Sequence, residues 1–355
     1  MIVRKKTRQV KVGDVLLGGD APVRIQSMTT TPPREVQATV DQIHGLEEAG
    51  CEIVRVACPT EADARSLGKI KSRIRIPLVA DIHFNYHFAL IALEEGVDKL
   101  RLNPGNIGSR DRVEAVVKKA SEKKVPIRIG VNAGSLEKDL EEKFGRTPAA
   151  LVESAKRHVG ILEAMDFRDI VISLKASDVP TMIESYRLAS RTFDYPLHLG
   201  VTEAGTLLRG SIHNAIGIGT LLYEGIGDTL RVSLTADSRE EIKVAKMILE
   251  ALGLRKGVRV ISCPSCGRAE VDVFKLAEEV ERRAMGLKNP LTLSVMGCAV
   301  NGPGEAHESD FGITGGKEKG ILYIDGKQHR VVDEKDLVDE LFREIEKKKG
   351  KLKRS

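Results

Sequence analysis

Three cysteines and one glutamate near the end of this 355-residue chain have the types and spacing of a reactive metal centre. Cys263 and Cys266 form a Cys-Pro-Ser-Cys unit, Cys298 follows thirty-two residues later, and Glu305 lies seven residues beyond it, after Gly302-Pro303-Gly304. Structural zinc wants four closed ligands. Three thiolates without a fourth suit a four-iron cluster better, since three sulfurs hold three irons and the last iron is left to a weaker ligand or a substrate. A Gly-Pro-Gly turn would swing Glu305 back toward the cluster, and an iron held by oxygen is exchangeable. Zinc completed by His307 is the competing reading, and a redox dithiol is another, although the latter leaves Cys298 without a role. Cys51 and Cys58 flank an apolar strand and are expected to be buried. An odd count of five cysteines argues against a secreted disulfide scaffold and for a reducing, cytoplasmic setting.

A second set of polar residues alternates with apolar ones inside short Val/Ile/Leu runs. It comprises Arg55, then Arg101 and Asn103, then Arg128, Gly130 and Asn132, then Lys175. His198, Gly200 and Thr202 follow, with Glu203 directly after, and finally Arg231 and Ser233. If each run is a strand of a closed barrel, these side chains point inward at the strands' C-terminal ends. Five cations converging with few acids cannot all be paired internally, and an unpaired buried charge is expensive. A polyanionic small molecule is the economical partner, and two phosphate groups would match, because arginine forks grip phosphate oxygens bidentately. Diffuse basic surface would instead suggest nucleic acid. Lys175 has a rival reading as the Schiff-base lysine of a barrel aldolase beside a zinc module. Asp81 and His83 could form a metal pair, with structural hydrogen bonding the plainer alternative.

The elements that would position these groups are legible. Eight apolar runs start near Val23, Glu52, Pro77, Val97, Pro126, Asp169, Pro196 and Asp228, with helical periodicity between them over 34–49, 110–123, 148–164 and 238–252. Eight strand–helix alternations predict a (β/α)8 TIM barrel over residues 1–255. Residues 256–355 predict a smaller α/β module, with strands over 258–262 and 291–296 delivering the two cysteine groups. That module also has a helix over 272–285, strands near 313–314 and 320–324, and a last helix from about Glu334. Aromatic residues are 4% of the chain and tryptophan is absent, so the core must be aliphatic, as in buried parallel strands. The net charge of +5 owes much to a basic tail, Lys347 to Arg354, which reads as a frayed helix end rather than a nucleic-acid arm. No apolar run approaches a membrane span, and the N-terminus lacks a signal peptide's apolar stretch.

Several stretches together resemble the GcpE (IspG) family of iron–sulfur reductases of non-mevalonate isoprenoid synthesis, in its two-domain bacterial form and over essentially the whole chain. They are Pro22-Val23-Arg24-Ile25-Gln26-Ser27-Met28-Thr29, Arg101-Leu102-Asn103-Pro104-Gly105-Asn106, Gly130-Val131-Asn132, Ile172-Ser173-Leu174-Lys175-Ala176-Ser177, His198-Leu199-Gly200-Val201-Thr202-Glu203, Cys263-Pro264-Ser265-Cys266-Gly267-Arg268 and Asn301-Gly302-Pro303-Gly304-Glu305. The resemblance implies a [4Fe–4S] cluster on Cys263, Cys266, Cys298 and Glu305. It implies reduction of 2-C-methyl-D-erythritol 2,4-cyclodiphosphate to 4-hydroxy-3-methylbut-2-enyl diphosphate, with electrons from flavodoxin or ferredoxin. Arg55, Arg101, Asn103, Arg128, Asn132, Lys175, His198, Arg231 and Ser233 would hold the substrate. Glu203 would be the acid beside the reacting carbons, and Glu305 the ligand able to yield its place. A homodimer in which one subunit's cluster domain closes over the other's barrel is also implied.

Overall fold

A computed structural model describes residues 2–287, 289–298, 302–316 and 318–352. The chain divides into two compact units, Met1–Leu254 and Arg255–Ser355.

The first unit opens with a hairpin, β1 (Val10–Val12) and β2 (Val15–Leu17), turned at Gly13 with φ +56°. Eight parallel strands follow: β3 (Arg24–Met28), β4 (Ile53–Ala57), β5 (Leu78–Asp81), β6 (Lys99–Arg101), β7 (Ile127–Asn132), β8 (Ile170–Lys175), β9 (His198–Leu199) and β10 (Thr229–Leu230). Their order is β8-β7-β6-β5-β4-β3-β10-β9, and a parallel bridge from Ile172 to Leu197 joins the two ends into a barrel. All eight expected runs are strands. The helices between them bury aliphatic faces against the strands, as Thr39, Val40, Ile43 and Leu46 do in the helix Val36–Ala49. The helix Pro148–Glu163 starts where sequence signals put it: Thr147 accepts a hydrogen bond from the Ala150 amide, and Pro148 occupies the first turn, where no amide is needed.

The hairpin was not anticipated, because three-residue strands carry too little periodicity to stand out. Val10, Val12 and Leu17 pack with Ile53, Val79 and Val171 in an apolar cluster of their own. That cluster fills the barrel interior near the strands' N-terminal ends. Polar interior side chains lie mainly above it, although Lys99, in register with Val79, reaches into the same layer.

In the second unit, β11 (Val258–Ser262), β12 (Leu291–Met296) and β13 (Phe311–Thr314) run parallel, and β14 (Lys319–Ile324) and β15 (Lys327–Asp333) extend the sheet antiparallel. The helices Val273–Ala284 and Leu337–Leu352 pack on this sheet through Val280, Leu337, Leu341 and Ile345, which meet Leu293, Val295, Phe311 and Ile313. One expectation needs correction. Gly302-Pro303-Gly304 is not a free turn but the first turn of a short helix, Gly302–His307. Proline is tolerated there because the first-turn amides have no intrahelical acceptor.

Candidate functional site

The barrel interior carries far more positive than negative charge. Arg55 on β4, Lys99 and Arg101 on β6, Arg128 on β7, Lys175 on β8 and Arg231 just past β10 lie within electrostatic reach of one another. Among the described residues two acids form salt bridges with them. Asp81 at the end of β5 lies 3.5 Å from Arg55 and 3.1 Å from Arg101. Glu241, in the first turn of the helix Ser238–Ala251, lies 3.2 Å from Arg231 and also accepts from Ser27 Oγ and the Leu234 amide. Burial raises the Asp81 carboxyl, but Arg55 and Arg101 outweigh it and hold the group down at about 2. Thus three of the five expected cations do have an acid partner, fewer free charges than the sequence implied.

Arg128 is the exception that matters. It is fully buried, and none of its three guanidinium nitrogens finds a hydrogen-bond partner among the described residues. Burial, reinforced by Arg55 and Arg101, pushes it well below the usual arginine range. Lys175 is pushed down by burial and by the same arginines. Lys99, equally buried, has only Gln26 Oε1 as a side-chain partner among the described residues, at 3.5 Å. His198 shares a 2.7 Å hydrogen bond between Nδ1 and Thr229 Oγ1, while its Nε2 has no partner among the described residues. Burial and the surrounding cations keep this imidazole neutral. The result is a low-dielectric chamber lined with donors.

Lys99, Gln26 and Glu241 were missed in the sequence. Lys99 is in phase with Arg101 and Asn103, so alternation carried one residue pair further down β6 would have found it. Glu241 has no comparable signal, since it arrives from a helix.

Other expected ligands play supporting parts. Asn103 spends its amide on Gly130, donating to its carbonyl at 3.0 Å and accepting from its amide at 2.9 Å, which ties β6 to β7. Gly130 leaves room for Arg101, whose Nε would sit 2.6 Å from an added Cβ. Asn132 and Lys175 are register partners on β7 and β8, and the Asn132 side-chain oxygen accepts from the Gly134 amide. Ser233 is half-buried beyond β10, and its carbonyl accepts from Asn214. Glu203 is exposed in the loop after β9 at φ +55°, a left-handed conformation that costs a non-glycine residue about 1 kcal/mol. Held strain of this kind clusters at functional sites. Asp81 and His83 do not form a metal pair: Asp81 is engaged by arginines, and His83 Nε2 lies 3.1 Å from Arg101 Nη1.

In the second unit, both cysteine groups leave the C-terminal ends of adjacent parallel strands. Ser262 pairs in register with Val295, Cys263 donates its amide to the Val295 carbonyl at 3.0 Å, and Cys298 follows β12 by two residues. Ser265 between the two cysteines holds a left-handed φ of +66°, and the Ala269 amide donates to the Cys266 carbonyl to close a turn just after them. Gly297 admits no side chain, as a Cβ there would meet Val273 Cγ2 at 2.4 Å. Arg268 is drawn to all three sulfurs, to Cys266 by a hydrogen bond and to Cys298 and Cys263 by charge. The Cys266 thiol is lowered by the Arg268 amide and guanidinium, which favours the thiolate. Cys298 is buried, Cys266 exposed and Cys263 between them. Glu305 is exposed on the helix Gly302–His307. Among the described residues no group of three ligating side chains is already closed into a metal site. The donor set nevertheless fits an iron–sulfur cluster. Three soft sulfurs issue from two neighbouring strand ends beside one cation that offsets thiolate charge. Cys51 and Cys58 are buried in the barrel, and burial pushes both thiols up to about 12, so they are inert.

A family model described as the GcpE TIM-barrel domain matches residues 7–246, and one described as the GcpE protein C-terminal domain matches residues 259–347. A Caldanaerobacter subterraneus subsp. tengcongensis protein named 4-hydroxy-3-methylbut-2-en-1-yl diphosphate synthase (flavodoxin) is 57% identical over 347 residues, covering 97% of this chain and 98% of its own. Proteins of the same name from Clostridium perfringens and Geobacillus thermodenitrificans are 59% and 58% identical, over 97% and 98% of this chain and 99% and 93% of theirs.

Proposed function

The chain belongs to the GcpE family, and from that premise we propose that it reduces 2-C-methyl-D-erythritol 2,4-cyclodiphosphate to 4-hydroxy-3-methylbut-2-enyl diphosphate in non-mevalonate isoprenoid synthesis. The reaction breaks the ring C–O bond to phosphate and removes a hydroxyl, taking up two electrons and two protons and releasing water. Flavodoxin is the electron donor in the relatives' names and is the proposed donor here, with ferredoxin as the alternative. The observation that carries the reading is the buried excess of cation in the barrel, above all the three unpartnered nitrogens of Arg128. An aldolase using Lys175 would leave the three thiols at the strand ends without a role.

Cys263, Cys266, Cys298 and Glu305 are the proposed ligands of a [4Fe–4S] cluster, which when bound supplies electrons one at a time to the substrate's carbon skeleton. Arg55, Arg101, Arg128, Lys175 and Arg231 neutralise the diphosphate, whose negative charge grows as its ring C–O bond breaks. Lys99 and His198 line the floor of that chamber and donate toward it. Asn132 and Ser233 orient hydroxyls, while Asn103 positions Gly130 and so leaves Arg101 its space. Glu203, at the open end of β9, delivers or organises a proton for the departing hydroxyl. The two units of one chain need not meet, since the proposed assembly is a homodimer in which each barrel is completed by the partner's cluster domain. Glu203 and Cys298 on one working site would then come from different subunits.

Anaerobically purified protein tests the cofactor. About four irons and four sulfides per chain are expected, with broad brown absorbance that bleaches under dithionite. Cys298→Ala should lose that absorbance and Glu305→Ala should keep most of it. One zinc per chain with no iron would overturn the reading.

A further inference from the structure

His158 lies buried on the inner face of the helix Pro148–Glu163, which packs against β7 and against the short turn Pro104–Asn106. The Gly105 amide of that turn donates to His158 Nδ1 at 3.3 Å, and His158 Nε2 lies 3.3 Å from Glu137 Oε1. A backbone amide has only a proton to offer, so Nδ1 is the bare nitrogen and the ring proton sits on Nε2, donated to Glu137. Both partners belong to the barrel mouth. Gly105 follows Asn103 by two residues in the loop after β6, and Glu137 follows Asn132 by five in the loop after β7. One neutral imidazole therefore joins two loops. The approach is close: a Cβ at Gly105 would meet His158 Cε1 at 2.7 Å, so the ring fills the space a side chain would need.

Lower down, β6 and β7 are held by the register pairs Leu100–Ile127 and Arg101–Arg128, with the Asn103–Gly130 exchange just above. Each loop is also braced on its own asparagine. The Asn106 amide donates to the Asn103 carbonyl at 2.9 Å, and the Gly134 amide to the Asn132 side chain at 3.0 Å. His158 adds the tie between the loops at the height where those asparagines stand. Protonation would undo it, because an imidazolium carries a proton on Nδ1 and cannot accept from Gly105. Burial holds the ring below the ordinary histidine range against the pull of Glu137, and Arg157 on the same helix adds to the effect of burial. Arg157 itself lies 2.6 Å from Asp139. The tie is thus made at neutral pH.

We propose that His158 is a positioning residue for the barrel site, its neutral ring locking the β6 and β7 loops together so that Asn103 and Asn132 keep their places. The inference rests on the function proposed above.

Steady-state kinetics of cluster-loaded variants with reduced flavodoxin tests it. Near neutral pH, His158→Leu should raise KM for the cyclic diphosphate about ten-fold with kcat within about two-fold, since the loops shift while the reacting groups stay. Glu137→Ala keeps the buried ring and cuts one tie, so it should raise KM about three-fold even if the leucine variant fails to fold. The ratio of either variant's KM to that of wild type cancels ionisation of the substrate. For His158→Leu it should fall toward one as pH drops well below about 6.5, where the wild-type ring charges and releases Gly105. Nitrogen resonances of the wild-type ring, taken without substrate at neutral pH, should show a bare Nδ1 and a protonated Nε2. A wild-type KM in both variants, a KM ratio that does not move with pH, or a ring protonated on Nδ1 would overturn the positioning role and leave the proposed reaction standing. A wild type that does not consume the cyclic diphosphate would overturn both.

Discussion

Burying a guanidinium whose three nitrogens find no partner among the described residues is costly, and the proposed diphosphate would offset that cost at Arg128. Arg128→Met should leave the free protein as stable as wild type or more so, because the apolar chain removes a buried charge. The same variant should bind the cyclic diphosphate about hundred-fold more weakly, the loss of a charge-assisted fork worth about 3 kcal/mol, read by calorimetric titration. Asp81 behaves oppositely. Its carboxyl, held at about 2 by Arg55 and Arg101, sits below its unfolded value near 3.9. It therefore stabilises the fold above about pH 4 by on the order of 2 kcal/mol, and that stabilisation is lost as pH falls toward 2. Asp81→Asn should flatten the stability–pH curve across that window, measured by urea unfolding. Lys99 and Lys175 have folded values depressed well below 10.5, so the free protein binds fewer protons there than the unfolded chain and gains stability as pH rises toward that value. A diphosphate beside them reverses the shift. Binding should then take up protons, seen as a buffer-dependent enthalpy that Lys99→Met reduces.

At the scale of elements, two backbone positions near the barrel mouth carry separable predictions. Gly130→Ala puts a methyl group where the Arg101 guanidinium lies, and the arginine can move, so stability should change little while substrate affinity falls about ten-fold. Glu203→Gly should raise stability by up to about 1 kcal/mol by relieving the left-handed φ, yet lose turnover as fully as Glu203→Gln. The eight barrel strands were legible because each is an aliphatic run of period two bounded by turn residues, and the inward cations stood out against it. Glu241 was not legible, since a helix carries it to the barrel from outside that pattern. Asn103 shares the phase of Arg101, and its amide exchanges two hydrogen bonds with Gly130 while keeping one N–H and one lone pair for a ligand. The β1–β2 hairpin was too short to register, and the glycines beside Pro303 hid a helical turn behind a turn-like composition.

For the whole molecule, the proposal divides one reaction between a barrel that neutralises a diphosphate and a second unit whose strand ends gather three thiols. Shared sites make a sharp prediction. Mixing inactive Cys298→Ala and Glu203→Gln subunits should restore about a quarter of wild-type activity, since half of randomly formed dimers carry one intact site of two. No recovery would place each site within one chain. Reduction of the cyclic diphosphate by this protein can be followed directly. Anaerobic, cluster-loaded protein is mixed with 2-C-methyl-D-erythritol 2,4-cyclodiphosphate and excess dithionite, which supplies the second electron that one cluster cannot, and the phosphorus resonances are followed. The cyclic diphosphate signals should give way to those of a linear allylic diphosphate as dithionite is consumed. A reduced, cluster-loaded protein that leaves the cyclic compound intact, with or without reduced flavodoxin, would contradict it.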